Sequence, residues 1–404
     1  MQRAHAAALL AAGVYDGVEH EAVCGALDRL EAAAVALERP PTVGTCSDSE
    51  DLHTWIEGML TELAGDAGRK IHTARSRNDQ VATLQKLYVI DCGTRLSAEL
   101  RGLSVIACER AKKWAGLAFP LQTHQQFAAP GSVGFWLLRY ATAFERVRRH
   151  LEACMEEWRR YCPLGAGAVA GSSIPLDRMI QARELGFAAP APNALDATST
   201  RDECLELLAV GTQLALHLQS LATDIIVFSQ TSLGWTKYPR AFGTGSSMMP
   251  NKLNPDAMEL LRGECNTVSA AHAEIVLLGK GLPSGYNRDW QCIKPIVNRA
   301  AEKLVSLVQM TAAFVEQLDF DTDRLAASLR EGHVGATLRM EEIVQTGVPL
   351  RAAHHAVAAE VAQAEDGAVP DISDPLKRYQ TAGSTNPTEV CRVADAILAG
   401  LRTA

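Results

Sequence analysis

Aromatic side chains are scarce in this chain: they form 5% of its 404 residues, although hydrophobic residues reach 47%. So few rings beside so much alanine and leucine favour helices packed closely through small side chains over a sheet. No basic block is present and the formal net charge is -8, which argues against nucleic acid as a partner. The N-terminus carries no signal pattern and no long uninterrupted apolar run occurs, so the expectation is a soluble cytoplasmic protein with no membrane partner. The ten cysteines are scattered singly, without Cys-x-x-Cys or paired Cys/His spacing. Reduced core thiols are expected, not disulfides or zinc ligands. The length allows two or three domains around a large core.

What is present is helical periodicity. Leu207, Gly211, Leu214, Leu218, Leu221, Ile225 and Phe228 alternate steps of four and three, a buried seam about four heptads long. Met258, Leu261, Cys265, Val268, His272 and Ile275 repeat the pattern, and Leu304, Leu307, Thr311, Phe314 and Leu318 do so again. Helices of ~40 Å at 1.5 Å per residue imply a long bundle. The expected fold class is all-α: a central long-helix bundle over 71–328, a smaller helical N-terminal domain over 1–70, and a small helical C-terminal domain from 329 to 404. The N-terminal segment has a Pro40-Pro41 break and a polar turn at Ser47-Asp48-Ser49, with Ser49-Glu50-Asp51 leading into an amphipathic run through Trp55, Met59 and Leu63. Pro370 and the Gly383-Ser-Thr-Asn-Pro387 turn divide the C-terminal segment.

The stretch Gly243-Thr-Gly-Ser-Ser-Met-Met-Pro-Asn-Lys-Leu-Asn-Pro-Asp-Ala-Met-Glu259 concentrates chemistry. Gly243 and Gly245 free the backbone, so Ser246-Ser247 can sit on a mobile lid. Asn254-Pro255-Asp256 reads as an N-cap, a first-turn proline and a dipole-matched acid, so a helix begins here. A helix start offers unpaired amides to an anion, and Lys252 stands two residues before it. The plain alternative is a Gly/Ser loop capping a helix. Gly245-Ser246-Ser247-x-Met249-Pro250-x-Lys252-x-Asn254-Pro255 resembles the signature of the fumarase/aspartase superfamily, whose members eliminate fumarate from succinyl compounds.

Four further strings narrow the resemblance. In His72-Thr-Ala-Arg-Ser-Arg-Asn-Asp-Gln80, Ser76-x-x-Asp79 has capping-box spacing, so a helix starts here and its apolar positions Leu96, Leu100, Leu103 and Ala107 carry it to about Lys113. Arginines flanking a cap either solvate it or present a planar fork to a carboxylate. This string resembles the argininosuccinate lyase family far more than fumarase or aspartase. Thr123-His124-x-Gln126, after a Pro120 break and before a helix expected from about Gly131, is similar to that family's Thr-His-x-Gln motif. A lone histidine is more often structural, but catalytic groups gather at such element boundaries. The continuation Phe127-Ala128-Ala129-Pro130 departs from the Arg-Ala-Gln-Pro common in relatives. Gly165-Ala-Gly-Ala-Val-Ala-Gly171 follows a helical stretch and lacks the acidic partner of a dinucleotide site; Pro163-Leu-Gly-x-Gly instead resembles the family's loop near the active site. Asp196-Ala-Thr-Ser-x-Arg-Asp202 and Lys280-Gly-Leu-Pro-Ser-Gly-Tyr-Asn-Arg-Asp-Trp-Gln-x-x-Lys294 also match the family.

The resemblance spans nearly the whole chain. It implies anti elimination of L-argininosuccinate to L-arginine and fumarate, with Ser246, His124, Glu259 and Lys252 as catalytic residues. It implies Arg77, Asn78, Thr123, Gln126, Asn254, Tyr286, Gln291 and Lys294 as substrate contacts. No metal or organic cofactor is needed. The resemblance leads one to expect that the leading segment of relatives, which donates a serine toward the substrate, is missing here, and that leaves open another amine leaving group; a non-catalytic, crystallin-like relative is the other alternative. A long helix from Arg77 would put the arginine and serine motifs ~50 Å apart in one chain, so the expectation is a homotetramer with sites shared between chains.

Overall fold

The computed structural model describes residues 1–35, 49–363 and 374–403. The chain is overwhelmingly helical, with fifteen α-helices among the described residues. Five are long: Arg77–Lys113, Val133–Trp158, Asp202–Phe228, Asp256–Gly279 and Ile293–Gln317. The heptad seams expected in the last three hold. Leu207, Leu214, Leu218, Leu221, Ile225 and Phe228 are buried, as are Met258, Leu261, Cys265, Val268 and Ile275, and Leu304, Leu307, Thr311, Phe314 and Leu318. His272 is only half-buried. Gly211 sits within its seam because a methyl group there would come within 2.6 Å of Leu304 Cδ1. No helix among the described residues is long and apolar enough to cross a membrane. The nine described cysteines are free thiols, five of them buried.

The chain divides into two compact units. The first comprises Met1–Thr94, Glu152–Leu207 and Ala273–Asn298. Its core includes Leu9, Tyr15, Val23, Ala26, Leu60 and Ile71 from the N-terminal helices. A second small cluster joins Cys162, Leu164, Ala182 and Phe187. The second unit comprises Arg95–Leu151, Leu208–His272 and Arg299–Ala404. Its few aromatics are pooled: Phe119 lies edge-on to Phe228 and Trp235, and Trp136 packs against Tyr140, Phe228 and Phe320. Such edge-to-face pairs add specificity beyond their buried area.

Local signals set the helix ends well. Asp79 Oδ1 accepts from Ser76 N at 3.0 Å, the capping contact expected of that spacing. Asn386 Oδ1 accepts from Thr388 N where the last helix, Pro387–Thr403, begins. Two expectations need correction. The segment before Val133 is a β-hairpin, Ala118–Thr123 against Gln126–Ser132, so the helix expected from Gly131 starts two residues later. Asn254 is not a side-chain N-cap: Leu253–Asn254 pairs with Thr244–Gly245, and the helix begins at Asp256. The breaks at Pro40-Pro41 and Pro370 and the Ser47-Asp48 turn lie outside the described residues.

Candidate active site

In the first unit, the start of the Arg77–Lys113 helix faces the polar connection before Ile293–Gln317 across a cavity of about 830 Å³. Arg77, Asn78, Tyr286, Gln291 and Lys294 all line it. Arg77 enters fully engaged. Its Nε meets Asp51 at 3.0 Å, and its two terminal nitrogens reach Thr54, Gln80 and Glu57 at 2.9, 2.6 and 3.4 Å. Asp51 earns this position locally, since it also caps the Leu52–Ala64 helix through Thr54 N at 2.8 Å. Glu57 gathers His72, Arg75 and Arg77 on one carboxylate oxygen. Lys294 differs: it has no hydrogen-bond or ion-pair partner among the described residues, and burial, with Arg201 nearby, lowers its ammonium pKa. A partly desolvated cation in a cavity is suited to a carboxylate ligand. Gln291 accepts from Arg288 at 3.3 Å, and Asn287 braces the connection through the carbonyls of Pro283 and Gly285. Gly285 N in turn donates to Ser199 of the Asp196–Asp202 string at 2.9 Å.

The glycine loop is tied to the same helix start. Asp79 is fully buried, and its Oδ2 accepts from Gly165 N and Gly167 N, both at 2.9 Å. Asn78 donates to Ala168 O at 3.0 Å. Both glycines have left-handed backbone, with φ of +81° and +65°, and a methyl group on Gly167 would meet Gly171 O at 2.6 Å. Burial pushes the Asp79 carboxyl up to about 6 against the pull of its three backbone donors.

The second unit carries the serine loop. The Thr244–Gly245 and Leu253–Asn254 ladder closes its base. Asp256 fastens that base to the following helix, accepting from Thr244 N at 2.8 Å and Thr244 Oγ1 at 2.5 Å; these bonds lower its pKa. Within the loop, Ser246 Oγ accepts from the amides of Met248 and Met249 at 3.3 and 3.0 Å. Lys252 and Glu259 are exposed, as are the Met248 and Met249 side chains. Thr123 and Gln126 face each other at the end of the hairpin, with His124 and Gln125 as its two turn residues. Both turn residues have positive φ, +53° and +59°. A two-residue hairpin loop demands this geometry and ordinarily selects Gly or Asn for it, so holding a histidine there is strained. His124 and Glu259 make no hydrogen bond or ion pair with each other in the chain. The departure at Phe127 has a packing reason: its ring stacks on Trp235 at 5.8 Å, and a methyl group on Gly332 would meet its Cβ and Cδ2 at 3.1 Å.

A family model described as Lyase matches residues 3–270. The argininosuccinate lyase of Acidobacterium capsulatum is 39% identical over 357 residues, covering 88% of this chain and 73% of the relative. That of Legionella pneumophila (strain Lens) is 40% identical over 317 residues, covering 78% and 77%. The chain belongs to the argininosuccinate lyase family. Among solved structures, an EDDS lyase in complex with formate is similar with a TM-score of 0.86 at 21% identity, covering all of this chain and 85% of that one. A class II fumarase from Schistosoma mansoni is similar at 0.73 and 18%, covering 93% and 88%. These two share the fold of this chain.

For this argininosuccinate lyase family member, the twelve expected site residues separate into two sets. Arg77, Asn78, Tyr286, Gln291 and Lys294 share the cavity of the first unit. Thr123, His124, Gln126, Ser246, Lys252, Asn254 and Glu259 belong to the second. The cavity also holds side chains that sequence reasoning passed over: Asp51, His53, His72 and Arg288. Burial and the charge of Arg77 hold His53 down to about 4, so it is neutral near pH 7. Asp51 was visible only as part of the polar lead into an amphipathic run; its role as counter-ion to Arg77 depends on a contact 26 positions away in sequence. Among the described residues, no three His, Cys, Asp or Glu side chains are placed to share a metal ion.

Proposed function

We propose that this chain is an argininosuccinate lyase, releasing fumarate and L-arginine from L-argininosuccinate by anti elimination. Family membership supports the reaction, and the observation that carries the mechanism is the pair of amides directed at Ser246 Oγ. The reaction removes a weakly acidic proton from the carbon beside a carboxylate, and the bond from the neighbouring carbon to the guanidino nitrogen breaks. Serine is a poor base in water. Two backbone donors on its oxygen favour the alkoxide over the hydroxyl, most strongly once closure of the loop excludes water. Lys252 and Asn254 hold the carboxylate into which charge spreads. His124, supported by Glu259, delivers a proton to the departing nitrogen; such acid–base help contributes on the order of 10²–10⁴-fold. The substrate's other end sits in the cavity of Arg77, Asn78, Tyr286, Gln291 and Lys294, with Lys294 free to meet a carboxylate.

Because the two residue sets belong to different units and the Arg77 helix alone runs 37 residues, or ~55 Å at 1.5 Å per residue, the reading includes a homotetramer. Each site then takes Arg77 and Ser246 from different chains, which also gives exposed apolar residues such as Leu260 and Leu277 a place to pack. The test of the reaction is the absorbance of fumarate on adding argininosuccinate. A flat trace, with a rise on adding adenylosuccinate or aspartate instead, would overturn the choice of leaving group. Silence with all three would overturn catalysis itself.

A further inference from the structure

The substrate cavity owes part of its shape to a residue that does not line it. We propose that Asp79 is a positioning residue, which latches the glycine loop 163–171 to the start of the Arg77–Lys113 helix and thereby fixes Asn78 for the substrate. The proposal rests on the reading of that cavity as the argininosuccinate site.

The geometry forms a closed chain of contacts. Asp79 Oδ1 holds Ser76 N, so one carboxylate oxygen fixes the helix start. Its Oδ2 takes the amides of Gly165 and Gly167, so the other oxygen fixes the loop. Ala168, the next residue of that loop, returns its carbonyl to Asn78 Nδ2. Asn78 is thus oriented by a loop that Asp79 holds in place, and Asn78 faces the cavity. Only a carboxylate supplies two acceptor oxygens with no donor of its own. A carboxamide would turn an N–H toward amides that are themselves donors. The arrangement is costly to keep buried unless it is used, because an ionised carboxylate out of water needs every one of its bonds. The charged and titratable groups around it are Arg75 just before its helix, Arg178 on the Arg178–Glu184 helix, and the Cys162 thiol on the strand before the loop. Arg178 braces the loop's entry through the carbonyls of Leu164 and Cys162 at 3.1 and 3.2 Å. The two arginines favour the ionised form of Asp79, while burial opposes it and brings its titration to about 6.

The test compares the full-length protein with Asp79→Asn by steady-state fumarate release and by hydrogen exchange of the peptide covering 163–171. The variant should raise KM for argininosuccinate about tenfold with kcat within about threefold, because a misplaced binding group weakens ground-state and transition-state binding alike. Its loop amides should exchange faster. In the wild type KM should climb as pH falls below about 6, as Asp79 takes up a proton, and that limb should vanish in Asp79→Asn. If circular dichroism shows the variant unfolded, Gly167→Ala opens the loop from the other side and should give the same KM rise and faster exchange. Unchanged KM, or unchanged loop exchange, in a folded variant overturns the latch. Absence of fumarate release by the wild type overturns the functional reading instead, and the exchange measurement still decides whether Asp79 holds the loop.

Discussion

At the scale of single residues, the chemistry turns on side chains whose surroundings were set by the backbone. Ser246 lies in a loop tied at its base, away from the helical seams, so its hydroxyl can be removed without disturbing the core. Ser246→Ala is expected to lower fumarate release at least about 100-fold with an unchanged circular dichroism spectrum; near-normal turnover would remove Ser246 from the role of base. Glu259 is expected to act through His124, since a carboxylate stabilises an imidazolium and an amide does not. The substitutions Glu259→Gln and His124→Asn should then be strongly non-additive in a double-mutant cycle. Independent, multiplying losses would uncouple the pair. His5 serves stability. It is buried between Thr73 O at 3.0 Å and Gln181 Nε2 at 2.7 Å, and burial, with Arg75 adding to it, holds its pKa down to about 3. The unfolded chain therefore binds a proton between about pH 6.5 and 3 that the folded chain refuses. Its contribution is complete above pH 6.5 and is lost as pH falls through that window, on the order of a few kcal/mol. Urea midpoints measured across pH 4–7 should fall toward acid in the wild type and less steeply in His5→Gln. Equal slopes would take His5 out of the acid response.

At the scale of elements, close approach of backbones explains several glycines that carry no chemistry. Gly134 opens the Val133–Trp158 helix against the end of the preceding long helix. A methyl group there would stand 2.2 Å from Ala111 O and 2.7 Å from Ala115 N and Cα. Backbone cannot move aside as a side chain can, so Gly134→Ala should destabilise the fold by about 1–3 kcal/mol, read as a lower thermal midpoint. A midpoint unchanged from the wild type would show that the two helices can part without cost. The hairpin that precedes this helix illustrates the opposite case. Its turn places His124 and Gln125 at positive φ where glycine would be easier, and the strain is tolerated because both strands pair across six residue positions.

At the scale of the whole molecule, the prediction is that activity belongs to an assembly of chains. Arg77→Ala and Ser246→Ala are each expected to be inactive alone. Mixed by co-expression or by joint refolding, they should recover part of the activity, because some sites would draw an intact Arg77 and an intact Ser246 from different chains. Native mass spectrometry would confirm the hybrids. Hybrids as inactive as either parent would end the shared-site reading.

The sequence by itself determined what depends on neighbours along the chain. Heptad spacing located the long helices because side-chain direction repeats every 3.6 residues wherever the chain is helical. Ser76-x-x-Asp79 marked a helix start because a cap is a bond between residues two or three apart. The chemical strings around Ser246, His124 and Lys294 were legible as strings. The hairpin at Ala118–Ser132 was not, since Pro120, Pro130 and a His-Gln turn are poor strand and turn signals, and its packing of Phe119 on Trp235 joins residues far apart in sequence. Asp79 read as one half of a cap. Its bonds to Gly165 and Gly167 span 86 and 88 positions, and the bond from Asn78 to Ala168 spans 90. Those contacts exist because burial forced a carboxylate to find donors, and only the folded chain decides which donors are within reach.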